Sequence, residues 1–177
     1  MDMKEIIAAA ARKLILEKKV KKLTVKDIVE ECQITRQAFY YHFEGIPDLI
    51  QWSIKQGTKR LLDECREQGG AEEALKYLFV FAINARSEVQ KGIESNYGKE
   101  LEQTLVQGAY ELFESIVEEE NLYQNYSHQE LKLILHYHSR AIFGLLQDWT
   151  PEDTKNLDMI VHEVCLIMTG KVVPGEL

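Results

Sequence analysis

Little in this 177-residue chain would break or cross-link a helix: it has three prolines, three cysteines and no apolar run longer than the seven residues 77–83. A bilayer-spanning helix needs about 20 consecutive apolar residues, so no membrane segment is expected. Residues 1–14 set charges on both sides of a modest apolar stretch and lack the continuous apolar core of a secretory signal, which leaves the cytoplasm as the expected location. Cys32, Cys65 and Cys165 are odd in number and widely spaced, with no C-x-x-C pair. That pattern suits free thiols in a reducing compartment and excludes a disulfide framework. No Gly-rich phosphate loop, H-E-x-x-H or G-x-S-x-G is present. The balance of 45% hydrophobic and 28% charged residues is that of an ordinary globular protein of one domain or two small ones.

The net charge of −8 by itself speaks against a nucleic acid as partner, yet the charge is unevenly spread. Residues 1–60 hold 12 Lys and Arg against 8 Asp and Glu, a balance of +4; residues 61–177 hold 9 against 21, a balance of −12. A small basic head that meets a polyanion and an acidic body that does not would produce this asymmetry, and so would an unevenly solvated surface.

The chain reads as helices from end to end, with Pro47, Pro151 and Pro174 near element boundaries and no competing strand pattern. A first helix is expected over residues 2–18, with Ile6, Ile7, Ala10, Ala11, Leu14 and Ile15 on its buried side, followed by the basic loop K-K-V-K-K at 18–22. Thr24 with Asp27 forms the T-x-x-D version of a capping box and starts a second helix whose apolar stripe is Val25, Ile28, Val29 and Cys32. Gln33 and Ile34 make a short turn. Thr35 is the expected N-cap of a third helix in which Phe39 and Phe43, one turn apart, face inward. Pro47 starts a long fourth helix to about residue 67. G-G-A-E-E at 69–73 is the clearest internal boundary, and beyond it helices are expected at 71–90, 94–120, 127–149 and 151–169. Ser127 with Glu130 is a second capping box, and Thr150 precedes a proline at N1. The expected division is therefore a head at 1–46, a linking helix at 47–68 and a helical body at 69–177.

A short helix joined by a tight turn to a capped, equally short helix has the spacing of a helix-turn-helix, in which the second helix enters the major groove. With Phe39 and Phe43 toward the core, Gln37, Ala38 and Tyr41 fall on the opposite side, Arg36 and Tyr40 on one flank and His42 on the other. Arg36 can donate two bonds to guanine, Gln37 can pair with adenine, and the Ala38 methyl can meet that of thymine. Tyr40, Tyr41 and His42 have the reach and the polar tips for phosphate oxygens.

These residues resemble the TetR-type transcriptional regulators, whose signature is a short helix and turn, a serine or threonine, an L-Y-Y-H-F run and a lysine three residues on. The match lies at Thr24, Ile28, Ile34, Thr35, Arg36, Phe39 (for leucine), Tyr40, Tyr41, His42, Phe43 and Leu49, within residues 4–50. The resemblance implies an all-α protein with a three-helix DNA-binding head, a linking fourth helix and a dimerising, ligand-responsive body. Its function would be ligand-responsive, sequence-specific regulation of transcription, as a repressor in preference to an activator. Its expected partners are a double-stranded, near-palindromic DNA operator, a second copy of itself and a small-molecule effector not identified by sequence. Thr24, Lys26 and Thr35 join the α-helical set above as expected DNA contacts. Two departures stand out. Gln33 replaces the usual turn glycine, so the turn either avoids positive φ or accepts a strain of about 1 kcal/mol. Ile46 replaces the lysine that anchors a phosphate, leaving the backbone N–H groups near Pro47, with Lys26 or Lys22, to compensate.

In the body, Leu131, Leu135, His138, Ile142, Leu145 and Trp149 alternate at spacings of four and three, a heptad seam with Ala141 and Gly144 beside it. Leu157, Ile160, Val161, Val164, Ile167 and Met168 form a second apolar face. Such a pair of helices, doubled by a two-fold axis, would make a four-helix dimer interface; alternatively, both close the core of one copy. Tyr77, Phe81, Tyr97, Tyr110, Phe113 and His136 are the candidates for a ligand pocket between helices. His136 and His138 diverge on their helix and His162 with Cys165 lacks a third ligand, so no metal, cofactor or catalytic residue is expected. A helical protein-interaction module with a weakened DNA-binding head is the alternative function.

Overall fold

The computed structural model describes residues 2–119 and 121–170; Pro174 and the expected sixth-helix end at Glu120 lie outside them. Within these residues the chain is all helical: α1 (Met3–Leu16), α2 (Val25–Cys32), α3 (Arg36–His42), α4 (Ile46–Arg66), α5 (Ala71–Ile93), α6 (Gly98–Glu119), α7 (His128–Gln147), α8 (Pro151–Lys155) and α9 (Leu157–Met168). It divides into two compact units, residues 1–57 with 87–105 and residues 58–86 with 106–177. The boundaries fall inside α4, α5 and α6, and the Gly69–Gly70 turn lies within the second unit.

Helix starts follow local hydrogen-bond chemistry. Thr24 Oγ1 accepts from the Asp27 N–H at 3.2 Å while Asp27 Oδ2 accepts from the Thr24 N–H at 3.0 Å. Ser127 with Glu130 and Thr150 with Asp153 repeat this reciprocal arrangement. Each cap satisfies donors that a helix start leaves orphaned, a contribution of about 1 kcal/mol. The expected single final helix is two: Asn156 adopts φ −101°, ψ 16°, ending α8 and starting α9. The sixth helix starts at Gly98, later than the expected residue 94, because residues 95–97 form a turn. That turn requires a glycine at its end, since a Cβ on Gly98 would sit 1.9 Å from the Ile93 carbonyl oxygen.

In the first unit, Ile7, Leu14, Leu23, Ile28, Phe39, Phe43 and Leu49 make one buried cluster. Phe39 and Phe43 point inward as their spacing suggests, with ring centroids 6.0 Å apart. Complete burial of each ring contributes about 1.5–3 kcal/mol. The second unit has its own core, including Leu78, Phe79, Leu112, Phe113, Leu135, Ile142, Trp149 and Val161. The Trp149 indole packs on Phe79 and donates to Thr154 Oγ1 at 2.9 Å, so a bulky ring is buried without an orphaned N–H.

Candidate nucleic-acid interface

The turn between α2 and α3 is made by Gln33 in the left-handed region, at φ 56° and ψ 41°. Its backbone therefore accepts the strain that a glycine would avoid. The Ile34 N–H donates to the Val29 carbonyl at 3.0 Å, which closes the end of α2 and tucks Ile34 against the core. Thr35 then caps α3, its hydroxyl accepting from the Ala38 N–H at 3.1 Å.

With Phe39 fixed beneath it, α3 presents Arg36, Gln37, Tyr40 and Tyr41 to solvent, while Ala38 and His42 are half-buried. Tyr41 is 85% exposed, beyond what any packing role needs. The rings are held in place from below: Tyr40 meets Phe39 edge-on at 5.4 Å, and Tyr41 meets His42 edge-on at 5.1 Å. Thr24 is half-buried with its hydroxyl committed to the cap, and Lys26 is exposed, 3.8 Å from Glu30.

The surrounding charge differs from the sequence expectation at the start of α4. Ile46 is buried in the head core, so the phosphate-anchoring lysine of the family is replaced by a packing residue. Asp48 Oδ2 accepts from the Glu44 N–H at 3.0 Å, so two carboxylates stand at the start of α4, where backbone donors near Pro47 were expected to serve a phosphate. Within the basic loop, Lys18 joins Lys13 on a single carboxylate, Glu31, at 2.5 and 2.8 Å. Hydrogen bonds from Lys13 and Lys18 hold the Glu31 carboxyl down at about pKa 2. Lys19, Lys21 and Lys22 remain exposed.

Sequence reasoning missed Asn96. This residue, in the turn before α6, lies against the chain just ahead of α2. Its Oδ1 accepts from the Leu23 N–H at 2.8 Å, its Nδ2 donates to the Leu23 carbonyl at 3.3 Å, and its backbone N–H donates to the Lys21 carbonyl at 3.1 Å. The Arg12 guanidinium also pairs with Glu88 of α5. An asparagine in a turn carries no sequence signal for a partner so far away in the chain.

Of the two readings of the apolar helices, the body residues take that of the core of one copy. Leu135, His138, Ile142, Trp149 and Val161 are buried inside the second unit, and Leu131, Leu157, Ile160, Val164 and Met168 are partly buried against the same core. Leu145 and Ala141 are exposed, on the outward side of α7. Of the six pocket candidates, Phe113 alone lines the second unit's apolar cavity. Tyr97 packs against the first unit's cluster, and Phe81 is exposed. The Tyr77 hydroxyl donates to Glu64 at 2.6 Å on the surface. Tyr110 is buried with its ring 4.9 Å from that of His136.

A capped two-turn helix offering arginine, glutamine and tyrosines from a rigid three-helix core is a helix-turn-helix DNA-binding head. Residues 7–51 match the profile of the bacterial regulatory proteins of the tetR family. The chain therefore carries, at residues 7–51, a DNA-binding domain similar to that of the tetR family. No curated protein matches it by sequence. Among solved structures it resembles Thermus thermophilus FadR, described as a TetR-family transcriptional repressor in complex with lauroyl-CoA, at 17% identity over 98% of this chain and 97% of that one, with a TM-score of 0.63. It also resembles the dihydroxyacetone kinase operon activator DhaS, at 18% identity over 96% and 95% of the two chains and a TM-score of 0.60. The fatty acid degradation regulator FadR from Bacillus halodurans is similar at 18% identity over 96% and 99%, with a TM-score of 0.56. At these identities the likeness is one of fold. No helix among the described residues is long and apolar enough to cross a membrane.

Proposed function

We propose that this protein is a cytoplasmic, one-component regulator that binds a near-palindromic operator as a homodimer and answers to a small-molecule effector. The observation that carries the reading is α3 itself: Arg36, Gln37, Tyr40 and Tyr41 are exposed on a helix whose inner face is locked by Phe39 and Phe43. Arg36 and Gln37 read base edges, with the Ala38 methyl against thymine; Tyr40, Tyr41 and His42 contact phosphates, as do Lys26 and the Thr35 end of α3. Repression is the expected mode, since occupancy of a promoter needs no contact beyond the DNA.

Dimerisation uses the outward stripe of α7, not the buried seam. Leu133, Tyr137, Ala141 and Leu145 recur at i, i+4, i+8 and i+12 and are all exposed, and Met159 and Ile167 of α9 are half exposed. An apolar helix face left in water is a candidate for covering by a second copy. The effector acts by binding one spacing of the two heads better than another, without which no ligand can shift the equilibrium.

Selection of duplexes from a random pool at about 0.15 M salt tests the reading, because screening there suppresses purely electrostatic binding. A two-fold symmetric motif is expected, and Arg36→Ala should weaken it by about 1–3 kcal/mol while relaxing one base position. The buried Ile46 and the Asp48 carboxylate favour a second reading, a helical interaction module with a weakened head. Folded protein that enriches no motif would establish that alternative.

A further inference from the structure

Arg12, Lys13, Lys18 and Lys26 of the first unit each stand beside a carboxylate: Arg12 pairs with Glu88, Lys13 and Lys18 share Glu31, and Lys26 lies 3.8 Å from Glu30. Lys4 is held differently. Its ammonium sits over the ring of Phe43, 5.3 Å from the centroid, and 6.0 Å from that of Trp52, and among the described residues it makes no ion pair. Glu5, the carboxylate next to it in the chain, turns back to accept from the Asp2 N–H at 3.2 Å. The two rings meet edge-on at 5.7 Å and form a fixed platform. Three elements build it, since Lys4 lies in the first turn of α1, Phe43 caps the end of α3 and Trp52 belongs to α4.

A carboxylate that positions a cation also cancels its charge, whereas an aromatic face positions one through its quadrupole and leaves the full charge in place. Lys4 is half-buried, so its stem is ordered, and its ammonium has three N–H donors of which the rings occupy one side only. Its place in the helix argues the same way: a lysine in the first turn sits against the positive end of the helix dipole, where local chemistry favours an acid. An immobilised, unneutralised cation is suited to an anion from outside. The phosphates that flank the major groove pass the ends of a helix lying in it, and residues 44–48, which follow α3, bring no lysine or arginine to them. Ile46 is buried there, and Glu44 and Asp48 add two carboxylates. We infer that Lys4, held ready by Phe43 and Trp52, donates to a DNA phosphate beside the C-terminal end of α3 and supplies the positive charge that residues 44–48 lack. The inference rests on the DNA-binding reading above and adds to it a contact from outside the helix-turn-helix.

Such a contact has a measurable signature. Each phosphate neutralised releases condensed counterions and adds about 0.9 to the steepness of log affinity against log salt. Over a rise from about 0.05 to 0.2 M salt, one contact per head therefore accounts for about a 3.5-fold loss of affinity. Phosphates are alike under every base, so the contact operates on any duplex and carries no sequence preference. An ammonium that only braces the rings would add to the stability of the head and nothing to that slope.

The test uses the full chain and a random-sequence duplex, so it does not depend on knowing the operator. Binding is titrated across that salt range for the parent, Lys4→Met and Lys4→Arg, with urea midpoints measured alongside. Lys4→Met should make the slope shallower by about 0.9 per head and weaken binding alike on all sequences. Lys4→Arg should keep the parental slope, because a guanidinium also stacks on rings and donates to phosphate. The ammonium NMR signal of Lys4, set apart by the ring currents of Phe43 and Trp52, gives a readout on the parent itself should the methionine variant fold poorly: it should shift when duplex is added. An unchanged slope in Lys4→Met, with or without a lower urea midpoint, overturns the contact and leaves the platform a structural clamp. A Lys4 signal that duplex does not move overturns it as well. A parent that binds no duplex even at about 0.05 M salt sinks the DNA-binding reading itself, so the two failures are distinguishable.

Discussion

Replacing Asn96 by alanine should unfold the head at markedly lower denaturant. Leu23 is 2% exposed, so when the side chain is removed its N–H loses the 2.8 Å acceptor with no water to take over. An orphaned buried N–H costs about 1–3 kcal/mol. The second bond, at 3.3 Å to the Leu23 carbonyl, is longer and adds roughly 0.5 kcal/mol. The backbone bond from Asn96 to Lys21 survives the substitution, so the expected total is about 2–3 kcal/mol and not a complete release of the turn. The chain has two tryptophans, Trp52 packed on Phe43 in the first unit and Trp149 on Phe79 in the second. In a Trp149→Phe background, fluorescence during a urea titration reports on the head alone. Amide exchange at Leu23 supplies the local measurement: its protection should collapse in the variant while that of Ile28 and Phe39 falls only with global stability. A loss below about 0.5 kcal/mol, with Leu23 still protected, would show that the Asn96 side chain holds nothing and that the backbone bond alone ties this turn to the head.

Two further expectations concern the same unit. Gln33→Gly relieves a left-handed residue of roughly 1–2 kcal/mol and returns about half of that as added unfolded-chain entropy, so the urea midpoint should rise by an amount worth about 0.5–1 kcal/mol; Gln33→Ala should give no gain, and equal behaviour of the two would contradict the turn geometry. Glu31, held near pKa 2 by Lys13 and Lys18, contributes stability that is complete above its ordinary 4.5 and is lost as pH falls toward 2. Acid titration of Glu31→Gln should therefore show a flatter stability curve between those values than the parent, and parallel curves would mean that the pair does not form in solution.

The head was readable because its signals are local. Thr24 with Asp27 and Thr35 with the Ala38 N–H are bonds across three residues, and Phe39 with Phe43 is a single helical turn, so spacing alone decides them. The body was less so. A four-and-three spacing marks Leu135, His138 and Ile142 as facing something apolar, but the same pattern serves a neighbouring helix of one chain or of a second copy; the protomer's own core took them. Tyr77 and Tyr110 each carry a hydroxyl committed to a carboxylate, Glu64 and Glu114, while the cavity of the second unit is walled mainly by aliphatic side chains that no motif singles out. Asn156, which ends one helix and starts another, sits in a run that otherwise reads as continuous helix.

The shortness of α3 limits how much address the protein can carry. Seven residues rise about 10 Å, enough to lie along roughly three base pairs of groove. Three positions with four choices each give 64 words, and two heads reading symmetrically would recognise a site that recurs by chance about once in 4,000. Against the 10⁶ or more competing sites of even a small genome, that vocabulary returns hundreds of false addresses. The missing information must be written where no side chain reads it, in how readily the DNA between and beside the half-sites narrows or bends to bring its phosphates to the head. Under the proposed function, the operators of this protein should therefore share a shape over a longer stretch than they share letters.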